Sequence, residues 1–113
     1  MPRNMSFAMT TEQVARKTKT VTRRFGWWFL KPSDVVQPVE KAMGLQKGEK
    51  AKKIGGLIRI VSTRAERLCD IDKADCIREG FPDFEPGNFT DMLQDHYGCD
   101  LYDEVNRIEF EYL

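Results

Sequence analysis

Residues 17–34 read KTKTVTRRFGWWFLKPSD and set basic side chains, threonines and aromatics side by side. Arg23 and Arg24 offer forked N–H donors that match a phosphate or a carboxylate, while Lys17 and Lys19 add compact positive charge. Trp27 and Trp28 offer flat faces on which a base can stack. Together these groups suit unpaired nucleic acid or, in a tight cleft, a single flipped base. A solvated, charged strand with hydrophobic neighbours has the same composition. Adjacent residues on a strand face opposite ways, so one of the two tryptophans is expected in the core, leaving the other free.

The elements that must position this stretch are short, and none repeats. MSFAM (5–9) alternates as a strand, and Thr10 or Thr11 can cap a short helix over EQVARKT. Thr20, Val21 and Thr22 are β-branched and favour an extended segment. Pro32-Ser33-Asp34 is a turn that launches DVVQPVEKAM, where Pro38 implies an edge strand or a bulge. GLQKGEKAKKIGG (44–56) reads as a mobile connection, and GLIRIVSTRAERL as a mostly buried, central strand. DIDKADCIREGF looks like a helical turn capped by Asp70 or Asp72 and stopped by Gly80. Pro86-Gly87-Asn88 opens a second helix, FTDMLQDHYG, which ends at Gly98, and EVNRIEFEYL closes the pattern as a strand with Glu109 and Glu111 outward.

A chain of 113 residues, 41% hydrophobic, has enough apolar matter for one core, so a single domain over 1–113 is expected. No apolar run approaches the roughly 20 residues of a membrane span, and MPRNMSFAMT lacks a signal-peptide core; a soluble, cytoplasmic protein without membrane partners is expected. Residues 1–64 carry 14 basic and 4 acidic side chains and residues 65–113 carry 4 and 14, so the net charge of zero hides two oppositely charged parts. Their mutual attraction within one core is one reading, and a basic face for phosphate is the other. Cys69, Cys76 and Cys99 suit reduced thiols, and with His96 they lack zinc-site spacing, so no metal and no cofactor is expected. There is no glycine-rich phosphate loop or dinucleotide fingerprint.

Five pieces in order, KTKTVTRR, WWFLKPSD, IRIVSTRAERL, REGFP and RIEFEYL, resemble the ASCH domain of the PUA-like superfamily across nearly the whole chain. The resemblance implies an α+β fold, a small PUA-like mixed β-barrel flanked by short α-helices, with a cleft for RNA or a nucleobase. One ASCH branch, a small bacterial amidohydrolase acting on acetylcytidine, uses a lysine, a threonine and a glutamate; motif matching puts these at Lys19 and Thr22 in KTVT and at Glu79 in REGF. A lysine desolvated or pressed by cations such as Lys17, Arg23 and Arg24 loses affinity for its proton and becomes a base or nucleophile. Glu79 would pair with Lys19 or shuttle a proton, and Thr22 would orient the substrate or be activated. Lys19 and Thr22 are three apart, so a regular strand puts them on opposite faces and a bulge or twist is required.

The expected function is therefore binding of RNA or a nucleotide-like ligand in a basic, aromatic-edged cleft built from Lys17, Arg23, Arg24, Trp27, Trp28 and Arg64, with Arg64 and Glu66 at the barrel mouth. The alternatives are an amidohydrolase acting on an acylated cytidine through Lys19, Thr22 and Glu79, and a protein-interaction adaptor using the charge-split surface.

Overall fold

The computed structural model describes residues 2–41 and 45–113. Its elements run β1 (Arg3–Ser6), α1 (Thr11–Ala15), β2 (Val21–Arg24), β3 (Val35–Val39), β4 (Ile58–Arg67), α2 (Lys73–Arg78), α3 (Pro86–Tyr97) and β5 (Glu104–Tyr112). All five strands join one mixed sheet in the order β1-β3-β4-β5-β2. β1 runs parallel to β3, and the other pairs are antiparallel. The fold is thus α+β, as expected, but the sheet is open and not the expected barrel. Its outer strands β1 and β2 have only four residues each and each pairs on one side only among the described residues.

β4 and β5 form the spine, so β4 is central as expected, but it is not mostly buried: of its ten residues only Ile58 and Ile60 are, because past the Val61 irregularity the strand carries Ser62, Thr63, Arg64, Glu66 and Arg67. The β4–β5 ladder runs from Ile58 opposite Tyr112 to Arg67 opposite Glu104, with a register shift between Ile60 and Ser62. The shift inserts Val61 as an extra residue, which is why the alternation along β4 is imperfect. One core lies towards β1 and β3 and holds Met5, Phe7, Val36, Ile58, Ile60 and Phe110. The other lies under α2 and α3 and holds Leu68, Ile71, Cys76, Phe89, Leu93 and Val105.

Local chemistry sets the helix ends. The Asp72 carboxylate accepts the backbone N–H of Asp75 at 2.8 Å, which starts α2. Gly80, at φ +98°, ends that turn in a conformation other residues resist, and a Cβ there would meet Gln13 Cγ at 2.7 Å. α3 begins with Pro86 in its first turn and ends on left-handed Gly98. Pro38 is not on an edge strand: it lies opposite Met5 of β1, past the point at Val36 where pairing with β4 stops, so its missing N–H breaks no ladder bond to β4.

Of the connection expected over 44–56, Gly44 lies outside the described residues, as do Ala42 and Met43 at the end of DVVQPVEKAM. The described remainder is tied down by bonds from Glu40 N to Lys52 O (2.8 Å) and Ile54 N to Pro38 O (2.9 Å), and Ile54 is buried in the first core. Among the described residues no helix is long and apolar enough to cross a membrane.

Candidate functional site

Lys19 lies in the irregular approach to β2, not in the strand itself. Lys17 takes a left-handed turn (φ 62°), and Thr20 N then donates to Arg78 O at 2.7 Å, stitching the chain to the end of α2. Because Lys19 precedes the regular strand, strict alternation does not apply, and it shares a cavity with Thr22 without a bulge. Tyr112 on β5 fixes this approach by donating its hydroxyl to Lys19 O at 2.6 Å.

The Lys19 ammonium donates to the Glu79 carboxylate at 2.6 Å and to the Glu79 backbone carbonyl at 2.9 Å. Lys19 is 3% exposed and Glu79 2%, so the pair is out of bulk water. Burial pushes the Lys19 ammonium below its ordinary range more strongly than the Glu79 carboxylate holds it up, and the nearby Arg24 and Arg23 charges add to the depression. Thr22 is buried too, and its Oγ1 accepts a hydrogen bond from Arg24 Nε at 3.0 Å. That contact follows from strand geometry, since residues two apart share a face.

Arg23 points the other way and is saturated. It donates to Glu66 (3.0 Å from Nε), to Glu79 (3.1 Å) and to Asp75. Its cross-strand neighbour Arg107 donates to both oxygens of Asp75 at 2.7 and 2.9 Å. Three arginines, Arg64, Arg107 and Arg23, stand abreast across β4, β5 and β2, an arrangement that would repel unless carboxylates lay among them. The hydrogen bonds from Arg107 and Arg23 hold the Asp75 carboxyl well below the usual carboxylate range despite its burial. Burial works against the Arg23 guanidinium, yet Glu79, Asp75 and Glu66 outweigh it and raise its proton affinity.

Arg24 has no such company. Among the described residues no carboxylate lies within ion-pair distance; beyond Thr22 its guanidinium lies over the ring of Phe7, 4.6 Å from the centroid. Burial lowers its proton affinity, offset in part by Tyr97 and Glu79. Glu66, Asp75 and Glu79 are thus shared among Lys19, Arg23 and Arg107, with Arg64 and Arg78 reaching Glu66 and Asp75 from the exposed side, and none of the three carboxylates pairs with Arg24.

These groups border a half-open cavity of about 200 Å³. Residues 6–10, which follow β1, form one wall, and Lys19, Thr22, Arg23, Arg24 and Glu79 form another. Phe81 with Phe89, Met92, Leu93, His96 and Tyr97 of α3 close it with apolar and aromatic surface. The cavity thus takes its lining from beside both outer strands of the open sheet. At its mouth, Tyr97 stands edge-to-face with Phe25, the centroids 5.4 Å apart and both rings about half exposed.

The structure brings together Lys19, Thr22, Glu79, Arg23 and Arg24 and leaves out the other expected site residues. Trp27 takes φ 60°, packs against the first core and has its carbonyl held by Asn106 Nδ2 at 3.0 Å. Trp28 is 53% exposed but does not line the cavity, and Lys17 is exposed in the turn after α1. Arg64 is mostly exposed on the Arg23 side of the sheet, paired with Glu66 at 3.4 Å. The exposed aromatic at the edge of the cleft is therefore Tyr97, with Phe25 packed against it outside the lining, and not the tryptophans. Asp75 and Arg107 were not singled out by the sequence; an arginine inside the apolar pattern VNRIEF is the one signal that pointed there. Cys76 is buried, with burial raising its thiol, Cys69 is exposed, and among the described residues no group of His, Cys, Asp and Glu is arranged to hold a metal.

No family model and no curated protein matches the sequence. Among solved structures, the crystal structure of protein EF3133 from Enterococcus faecalis V583, of the DUF984 family, superposes on 100% of this chain and 77% of its own, with a TM-score of 0.68 at 12% sequence identity. At that identity the likeness is one of fold.

Proposed function

We propose that the protein is an ASCH-type domain whose cavity takes one nucleobase-like heterocycle and hydrolyses an acyl amide on its exocyclic nitrogen. The observation that carries this reading is the buried Lys19–Glu79 pair, 2.6 Å apart, opening with Thr22 into a single cavity. About 200 Å³ lies below the roughly 300–1,000 Å³ of drug-sized sites, which favours a single base over a polymer. Saturation of Arg23 and the absence of Lys17, Trp27, Trp28 and Arg64 from the lining favour it as well.

In this mechanism Lys19, its proton affinity lowered by burial, takes a proton from the water that attacks the acyl carbon. It passes that proton to the exocyclic nitrogen as the C–N bond breaks. Glu79 fixes the lysine by two hydrogen bonds and stabilises its charged state between the transfers. The Thr22 hydroxyl, whose oxygen already accepts from Arg24, has its own hydrogen free to orient the substrate.

Incubation with N4-acetylcytidine tests the reading: cytidine and acetate should appear, with turnover lost in Lys19→Ala and reduced about 100-fold or more in the milder Thr22→Ala. Absence of release by folded wild-type protein at high concentration overturns it. A second reading, reversible binding of a nucleotide or an unpaired RNA base, is favoured by the exposed Phe25–Tyr97 pair at the mouth. It predicts an affinity for single-stranded RNA that falls steeply with salt and is lost in Tyr97→Ala.

A further inference from the structure

We propose that Arg24 is the acyl-oxygen site of the cavity: its terminal N–H groups receive the carbonyl oxygen of a short acyl group and, after hydrolysis, the carboxylate product. The proposal rests on the hydrolase reading for the substrate, but the anion site stands on its own observations. Of the four cations in the cluster, Arg24 alone has no carboxylate partner among the described residues. Its Nε is committed to Thr22 and its plane to Phe7, so the guanidinium is held in one orientation. No buried side-chain nitrogen among the described residues lacks a partner, so the two terminal nitrogens of Arg24, which bond to no described residue, reach open volume, and the cavity is where that residue meets it. A planar fork of donors, fixed from behind and without a carboxylate partner of its own, fits two oxygens on one carbon.

The reaction would place such oxygens there. Hydrolysis adds a water oxygen to the acyl carbon and breaks the C–N bond; one water proton goes to the exocyclic nitrogen and the other leaves through Lys19 to solvent. A neutral amine and a carboxylate remain. Negative charge appears first on the carbonyl oxygen and then on the product, and Arg24 is the group that compensates it. Phe7, Met9 and Met92 line the same cavity and offer apolar surface to the acyl chain, which the cavity size keeps short.

The test uses the full chain carrying 13C-methyl methionine, with Met9 and Met92 as reporters inside the cavity. Sodium acetate is titrated into wild type, Arg24→Gln and Arg24→Lys, and inorganic phosphate serves as the competing anion. The expected result is a saturable shift of the Met9 and Met92 methyls with acetate, weakened at least tenfold in Arg24→Gln and only partly restored in Arg24→Lys. Unchanged acetate affinity in a folded Arg24→Gln protein, or no saturable shift in wild type, overturns the assignment. Phosphate binding more than tenfold tighter than acetate overturns it in favour of a phosphate-bearing ligand. Turnover separates the two claims: Arg24-dependent acetate binding without acetylcytidine hydrolysis keeps the anion site and removes the hydrolase. Hydrolysis with kcat unaltered in Arg24→Gln keeps the hydrolase and removes this role for Arg24, whose loss should lower kcat about 100-fold with a smaller change in KM.

Discussion

On one face of β2, Arg23 lies among Glu66, Asp75 and Glu79; on the other, Arg24 has the Thr22 hydroxyl as its one side-chain hydrogen-bond partner among the described residues and lies over the ring of Phe7. The two residues are adjacent and chemically identical, so the difference comes entirely from what the rest of the chain delivers to each face. β4 and α2 bring carboxylates to the first, whereas α3 and the segment after β1 bring hydrocarbon and aromatic rings to the second. The satisfied face has the character of a scaffold, because Arg23, Arg107, Glu66, Asp75 and Glu79 are all linked by hydrogen bonds within it. The unsatisfied face is free to take a ligand. Glu79 belongs to both, with one oxygen on Lys19 and the other on Arg23, and it couples the scaffold to the cavity.

The largest effect should come from breaking the satisfied face. Asp75→Ala strips both Arg23 and Arg107 of a buried partner and should lower unfolding free energy by about 3–5 kcal/mol, read from denaturant midpoints. Because the folded protein holds the Asp75 carboxyl below its ordinary value, its contribution is fully present above about pH 4 and fades as pH falls through the lower, folded-state value. The wild type should therefore lose stability in acid more steeply than Asp75→Ala, and parallel acid limbs in the two proteins would show that the network does not act this way.

Thr22→Val probes the other face. It deletes one partially buried hydrogen bond to Arg24 and should cost about 1 kcal/mol, a third or less of the Asp75 effect, while removing most of the acetylcytidine turnover. A stability loss as large as that of Asp75→Ala would erase the distinction between the faces. The smallest change is expected at Trp28, which is half exposed and off the cavity: Trp28→Ala should shift stability by about 0.5 kcal/mol and leave acetate and nucleoside affinity as in the wild type.

The residues that short motifs single out do meet in space, whereas those brought together by strand register were not legible in the sequence. KTVT and REGF pointed to Lys19, Thr22 and Glu79, and the chain does bring them to one cavity. The capping residue Asp72 and the stop at Gly80 were equally plain, since both act within a few residues of themselves. One tryptophan inside and the other free is what the chain shows, but neither reaches the cleft, because Trp27 and its neighbours form a loop, not a strand, whose carbonyls Asn106 gathers from 79 and 80 residues away. Asp75 reads as an ordinary first-turn acid, and only the cross-strand pairing of Arg23 with Arg107 gives it a second duty. Closure of a sheet likewise depends on whether its two outer strands find each other, and local composition does not encode that.

The position of β5 has a further consequence, for the order in which the site comes into being. Among the described residues β2 pairs with β5 alone, and β5 also supplies Arg107 to Asp75 and Tyr112, whose hydroxyl donates to Lys19 O. While the chain is being synthesised, the basic segment can reach α2 through Thr20 and Lys19, but β2 has no strand to pair with until residues 104–112 have emerged from the ribosome. Lys19 therefore precedes by more than 80 residues the strand that completes its burial, and a product cut short before β5 would carry every residue that lines the cavity yet lack the strand that holds β2 and the Lys19 carbonyl in place.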